Sequence, residues 1–458
     1  MASRSRTNHD GSTLTFWLLA AFLVILWIAG GASRADVAGQ ILVRLSAWIL
    51  LIAFVLFGPG VNWARIKVPA AFLAAAIGLI ALQLLPLPPA IWTALPGREL
   101  LAQAATVTGQ PQPWRPLSIS PGATVNALNA MIVPAVTLAL ASQLGREHYW
   151  KIVELLLGLI VAGSLLGLLQ FSGARFDHPF INDLAGGVSA NFANRNHFAL
   201  FVAIGCLIAP VWALRGERVS RWRAIAGLGL LPLFLLIILA TGSRMGVLLG
   251  AVGMVAGLVL SWNAVRREFT QLPRKVSIAL IAGFLGALIL AVTLSITFDR
   301  AESITRALSL QAEEDLRARA LPTVLGMVQG YFPVGSGFGT FDAAYRMVEP
   351  DHLLQPAYFN RAHNDWLELV LDGGILAALL LAAAAGWWLY ASWKAWTGKP
   401  ARDLPRLGSA AVLLIMLASI PDYPARTPMV MAILALGALW LGGNTRPEQR
   451  QPSAASRG

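Results

Sequence analysis

The apolar residues of this chain come in long unbroken blocks, and short polar segments separate them. A membrane-crossing helix needs about 20 consecutive apolar residues. Twelve stretches approach that length, at about 14–31, 38–57, 68–86, 124–143, 152–171, 196–213, 224–241, 245–262, 276–297, 364–393, 409–421 and 427–442, the last two short or broken. The pattern therefore predicts an all-α polytopic membrane protein of about 12 transmembrane helices, with polar tails at 1–13 and 444–458. The first apolar block follows a basic tail, but a second span follows almost at once, so an uncleaved anchor is expected rather than a removed signal. Within the chain, the pattern suggests an N-terminal bundle at 14–195 and a second transmembrane unit at 196–443.

Composition supports the bilayer as solvent. The chain is 57% hydrophobic and 13% charged, whereas soluble domains carry about 25% charged residues. The formal net charge of +12 would suggest nucleic acid in a soluble protein. Here position decides: with a cytoplasmic N-terminus and alternating spans, most of the 35 basic residues, and every lysine, fall on the cytoplasmic side. That is the positive-inside bias, so the excess is a topology signal and no nucleic-acid partner is implied. The lone cysteine, Cys206, excludes an internal disulfide and any cysteine-based zinc cluster. No Walker A string is present, which argues against ATP-driven transport by this chain alone.

The same topology leaves three substantial outward segments, 87–123, 172–195 and 298–363, the last lying between the ninth and tenth spans. Loops of that size carry function or helices of their own. From Asp315 to Gln329, apolar and polar residues alternate at helical spacing, which predicts a short amphipathic helix at the membrane surface. All the arginines on the outward side lack lysine company, the choice expected where an anion must be gripped by geometry as well as charge.

Several outward residues carry candidate chemistry. Arg244 sits in the tight turn TGSRMG at 241–246, where small neighbours leave space and free backbone N–H groups; a guanidinium there suits a phosphate or diphosphate, or simply snorkels to the interface. His363 stands where the long loop enters a span, in RAHNDWLELVLDGG at 361–374. A helix starting here puts Asp365, Glu368 and Asp372 on one face, a stripe that cannot face lipid and should line a polar cavity. His363 at its mouth is a candidate general base or an interfacial cap. Arg361, four residues before Asp365, has the spacing of an ion pair if the helix reaches that far back.

Arg317 and Arg319 stand two apart in a mixed-charge run, an arrangement that is usually a solvated face. The adjacent Glu313, Glu314 and Asp315 do not converge as metal ligands must. GSGFGTF at 335–341 has a dinucleotide look, but no βαβ unit surrounds it, and a flexible turn is expected. Asn194 and Asn196, in FANRNHFALF at 192–201, either bind a sugar or phosphate at the mouth of another span or cap its helix.

Four segments taken together, FANRNHFALF, TGSRMG, the run from Arg317 through GSGFGTF, and RAHNDWLELVLDGG, resemble the O-antigen ligase and O-antigen polymerase superfamily. They lie in the family's order across about 180 residues of the C-terminal half. QLLPLPPAIW at 83–92 and PWRPLSISPGAT at 113–124 are similar to exopolysaccharide-polymerase members.

The resemblance implies a GT-C-like, metal-independent glycosyltransferase of the bacterial inner membrane, without a cofactor and with its active site on the periplasmic face. The donor would be an undecaprenyl-diphosphate-linked oligosaccharide and the acceptor a glycan or a lipid core, with membrane lipids around it and polysaccharide export and chain-length proteins as partners. By motif matching, Arg244, Arg317 and His363 take the family's catalytic positions. Beside them, the residues' own chemistry suggests Arg361, Arg319, Asn194, Asn196, Asp365 and Glu368 as substrate-binding or orienting residues. Leu321 stands where the family often has an aromatic residue, and both Arg317 and Arg319 fit the loop-arginine position. A lipid-linked oligosaccharide flippase is the rival reading of a polytopic chain with a charged cavity.

Overall fold

The computed structural model describes residues 2–174, 178–181, 187–216, 219–271, 316–354, 359–399 and 402–443, with isolated positions between 273 and 293. The expected span at 276–297 and the acidic run Glu313, Glu314 and Asp315 lie outside the described residues.

Among the described residues the regular structure is helical, apart from a two-stranded antiparallel pairing of Pro86–Leu87 with Arg115–Pro116. In chain order the helices are α1 (Ala2–Ala29), α2 (Ala38–Phe57), α3 (Trp63–Leu82), α4 (Pro89–Trp92), α5 (Glu99–Val107), α6 (Pro121–Ala130), α7 (Ile132–Ala141), α8 (Arg146–Phe171), α9 (Arg195–Ala213), α10 (Arg221–Ala240), α11 (Arg244–Leu260) and α12 (Trp262–Gln271). Then come α13 (316–331), α14 (Phe341–Arg346), α15 (Asp365–Thr397), α16 (Asp403–Ala418) and α17 (Pro428–Gly442). Eight helical stretches among the described residues are long and apolar enough to cross a membrane, and a ninth is a span if α11 and α12, bent 68° apart, are taken together. The chain is thus a polytopic membrane protein, and α16 and α17, the two runs marked as short in the sequence, are 16 and 15 residues long.

At the centre stands α9, in which every residue from His197 to Ala213 is buried. Its closest neighbour is α11, and the sequence explains the approach. A Cβ at Gly253 would lie 2.5 Å from the Ala203 carbonyl, and one at Gly257 would lie 2.6 Å from that of Leu207. Small residues at these positions let two helix backbones come together inside a bilayer. This contact sets Arg244, the first residue of α11, beside Arg195, the first residue of α9.

The long outward segment has its own core. On α13, Ala320, Val324, Met327 and Tyr331 form a buried stripe that packs with Phe341, Tyr345 and Phe359. The expected amphipathic helix is present, but its buried stripe serves this local core, while Leu321 and Leu325 are exposed on the other side.

The glycine-rich turn is fixed rather than flexible. It is wedged against a break in α15, where Gly374 leaves helical geometry at φ 59° and ψ −145°. The carbonyls freed there are taken up by the turn: Ser336 N–H donates to Leu371 O and Gly337 N–H to Asp372 O, both at 2.9 Å. Gln83 clamps both sides, donating to Asp372 O and accepting from Phe338 N–H, each at 2.8 Å. Arg98, fully buried, donates to Gly335 O at 2.9 Å and to Leu117 O at 2.7 Å. Burial lowers its pKa to about 10.

Candidate active site

Three helices begin at one end of the bundle, each with a polar cap. Asn194 Oδ1 accepts from Asn196 N–H at 2.8 Å, Ser243 Oγ from Gly246 N–H at 2.9 Å, and Asn364 Oδ1 from Leu367 N–H at 3.0 Å. The caps start α9, α11 and α15 at Arg195, Arg244 and Asp365. Spare backbone N–H groups and the positive ends of three helix dipoles therefore gather in one place, an arrangement that favours an anion.

Here lies a cavity of about 430 Å3 whose walls include Arg195, Asn196, His197, Arg244, Arg317 and His363. Arg317 enters from the start of α13 and donates to Pro421 O at 3.4 Å. His363 precedes the Asn364 cap and holds a left-handed backbone at φ 48°, a conformation uncommon for a residue with a side chain and found at functional sites.

The turn between α16 and α17 supplies what the sequence reading missed. Asp422, buried in that turn, meets two asparagines and two histidines. Its Oδ2 accepts from Asn196 Nδ2 at 2.7 Å and from Asn194 Nδ2 at 3.1 Å. Its Oδ1 lies 3.3 Å from His363 Nδ1 and 3.7 Å from His197 Nε2. Burial alone would favour the neutral acid, but His197 and His363 hold the Asp422 carboxyl well below its ordinary value. The ring of Tyr423 packs edge-on against both imidazoles, with centroids at 5.1 and 5.0 Å. Among the described residues, no group of three or more His, Cys, Asp or Glu has the geometry to hold a metal ion.

Asp365, Glu368 and Asp372 do share one face of α15, but that face does not line the cavity. A second residue of the α16–α17 turn, Arg426, closes it. Its guanidinium reaches Asp365 Oδ1 and Glu368 Oε1 at 3.2 Å and Asp372 Oδ2 at 3.5 Å. Burial would lower the Arg426 pKa, but the three carboxylates raise it above the ordinary value. Asp365 also accepts from Ser419 Oγ at 3.0 Å, and Asp372 from Gly339 N–H at 3.0 Å. The partner of His363 is Asp422, with Asp365 and Glu368 committed elsewhere.

Three more expected residues stand off the cavity wall. Arg361 pairs with Glu368 at 3.0 Å instead of Asp365, because the Asn364 cap leaves it outside the helix. Arg319 points away and donates to His352 O at 3.3 Å, so only Arg317 of the pair reaches the cavity. Asn194 acts behind the wall, as the cap of α9 and a donor to Asp422.

Fold and site define a polytopic membrane protein with a cationic, histidine-bearing cavity at the start of three of its helices. Residues 229–382 match the family model described as O-antigen ligase, which supports a likeness of this part of the chain to the O-antigen ligase and polymerase superfamily. The matched stretch contains Arg244, Arg317 and His363, while Arg195 to His197 and the turn with Asp422 lie outside it. No curated protein matches the chain.

Proposed function

We propose that the protein is an inner-membrane glycosyltransferase that joins undecaprenyl-diphosphate-linked oligosaccharides on the periplasmic face, acting as a polymerase of exopolysaccharide or O-antigen in preference to a ligase. The observation that carries this reading is the convergence of Arg244, Arg317 and His363, distant in sequence, on one cavity at three helix N-termini. The side assignment rests on the basic cytoplasmic segments.

In this reading the guanidinium groups of Arg244 and Arg317 hold the donor diphosphate, with the helix N-termini behind them. His363, its Nδ1 turned to Asp422, offers Nε2 to the acceptor hydroxyl. The hydroxyl proton passes to Nε2, the acceptor oxygen bonds to the anomeric carbon, and the bond from that carbon to the diphosphate oxygen breaks. The lipid diphosphate leaves with one more negative charge, which preorganised arginines in a poorly hydrated site stabilise without a metal.

The test is the purified protein in liposomes with an undecaprenyl-diphosphate oligosaccharide, followed by released undecaprenyl diphosphate and by product length. Repeats joined to one another in the presence of EDTA support the polymerase; transfer to a lipid core makes it a ligase. Movement of intact lipid-linked sugar across the bilayer without release makes it a flippase. His363→Ala should lower turnover by about 10²- to 10⁴-fold with donor binding retained. Arg317→Ala should lose donor affinity while Arg319→Ala keeps it, and the reverse order would overturn the assignment of the diphosphate site.

A further inference from the structure

The end of the bundle away from the cavity carries a second cationic cluster, which the transfer does not use. There α9 ends at Ala213 and α11 at Leu260, while α8 and α10 begin at Arg146 and Arg221. Arg223 donates to Glu154 Oε1 at 3.1 Å, its guanidinium 5.4 Å and 5.7 Å from the ring centroids of Trp212 and Trp222. Arg215 covers the buried indole of Trp150 at 4.2 Å, a cation–π contact that holds the guanidinium plane and leaves its N–H edge to other partners. Among the described residues, no carboxylate comes within ion-pair distance of Arg215.

The charges around Arg215 do not balance. Arg146 and Arg223 repel it, Glu154 and Asp403 attract it, and Glu154 is already bonded to Arg223. Arg267, on α12, adds no net charge: it pairs with Glu268 at 3.3 Å and donates to the carbonyl of Gly216, the residue after Arg215, also at 3.3 Å. The starts of α8 and α10 add the positive ends of two helix dipoles. Such a cluster calls for an anion, and a phosphate is the anion that a guanidinium grips with two N–H groups at once.

The surroundings indicate where that phosphate comes from. Because α12 leaves α11 at 68°, it lies closer to the membrane plane than to the normal wherever α11 crosses the bilayer. Trp222 and Trp262 are 62% and 60% exposed, as indoles are at the headgroup level. Beyond Trp222, the exposed Ile225 and Leu228 continue along the same face of α10, an apolar surface leading away from the arginines. We propose that Arg215, with Arg223 beside it, binds the phosphate of an anionic phospholipid whose acyl chain lies along Trp222, Ile225 and Leu228. A zwitterionic lipid fits less well, because its ammonium would enter a cluster that already has an excess of positive charge.

The experiment is a native mass-spectrometry titration of the full chain, stripped of lipid in a neutral detergent. Dioleoyl phosphatidylglycerol is the probe, with dioleoyl phosphatidylcholine and inorganic phosphate in parallel. The wild type should take up one phosphatidylglycerol with about tenfold higher affinity than phosphatidylcholine. Arg215→Gln should lose that preference, so that the two lipids bind alike. Lys67→Gln removes a charge near the start of α3, at the same end of the bundle but with none of these contacts, and should change the affinity by less than about twofold.

Wild-type affinity for phosphatidylglycerol in Arg215→Gln overturns the inference, and so does a wild type that binds both lipids equally. Inorganic phosphate that displaces phosphatidylglycerol at the same concentration overturns the lipid as the source of the anion. A Lys67→Gln protein weakened as far as Arg215→Gln would show that only the overall charge of this end matters, which also overturns the site. Should Arg215→Gln fail to fold, the wild type decides: phosphatidylglycerol should raise its unfolding midpoint above that in phosphatidylcholine at the same concentration. Equal midpoints overturn the inference.

Discussion

Arg426→Ala would remove the one side chain among the described residues that touches all three carboxylates of α15. Asp365, Glu368 and Asp372 are buried, so none can recover its hydration. Some donors remain: Ser419 and Ala425 for Asp365, Arg361 and Ala362 for Glu368, and Gly339 for Asp372. These satisfy hydrogen bonding at several oxygens, but only Arg361 brings a positive charge. Removing one partner of a buried ion pair costs about 3–5 kcal/mol, and the expected loss lies in that range. A large drop in the thermal unfolding midpoint of the detergent-solubilised protein would report it. Replacing the network by Arg426→Met with Asp365→Asn, Glu368→Gln and Asp372→Asn removes the stranded charges, so it should recover most of the loss. An Arg426→Ala protein with the wild-type midpoint would refute the reasoning, because the carboxylates would then not depend on this cation.

Two other expectations concern the turn and the buried acid. Gly335→Ala puts a Cβ 2.5 Å from the Asp372 carbonyl at a backbone φ of 89°, and strain with overpacking should destabilise by about 2–4 kcal/mol, read as a lower unfolding midpoint. The Asp422 pKa is depressed in the folded state, so its stabilising contribution is present above the ordinary value of 3.8 and lost as pH falls below it toward the folded value. Asp422→Asn should therefore flatten the acid side of the stability profile, and an unchanged acid transition would show that another group governs it.

Much of the fold could be read from hydropathy, because burial in lipid demands long apolar runs that soluble cores do not need. Arg244 and His363 were legible for the same reason: charge or imidazole at the mouth of a span has few places to go. The acidic stripe does form one face, but it is closed by an ion-pair partner and does not line the polar cavity that was expected of it. Its partner, Arg426, comes 54 residues after Asp372, and no local periodicity links a helix to a turn that far away. Asp422 and Arg426 did leave a trace in SIPDYPAR at 419–426, where two opposite charges occupy a turn too short to lift both away from the bundle. Choosing Arg317 over Arg319 needed the direction of each side chain on α13, which a two-residue spacing alone does not give.

The break at Gly374 has a mechanical consequence. The Leu371 and Asp372 carbonyls bond to the glycine turn and so anchor the outer two turns of α15 to the loop, whereas the run from Ile375 to Thr397 is held along α16, with Trp388 Nε1 donating to Ser409 O. A change in bilayer thickness tilts long helices; a tilt imposed on the inner segment is expected to bend α15 at Gly374, where the helical hydrogen bonds are already broken, before it shifts the outer turns that follow His363.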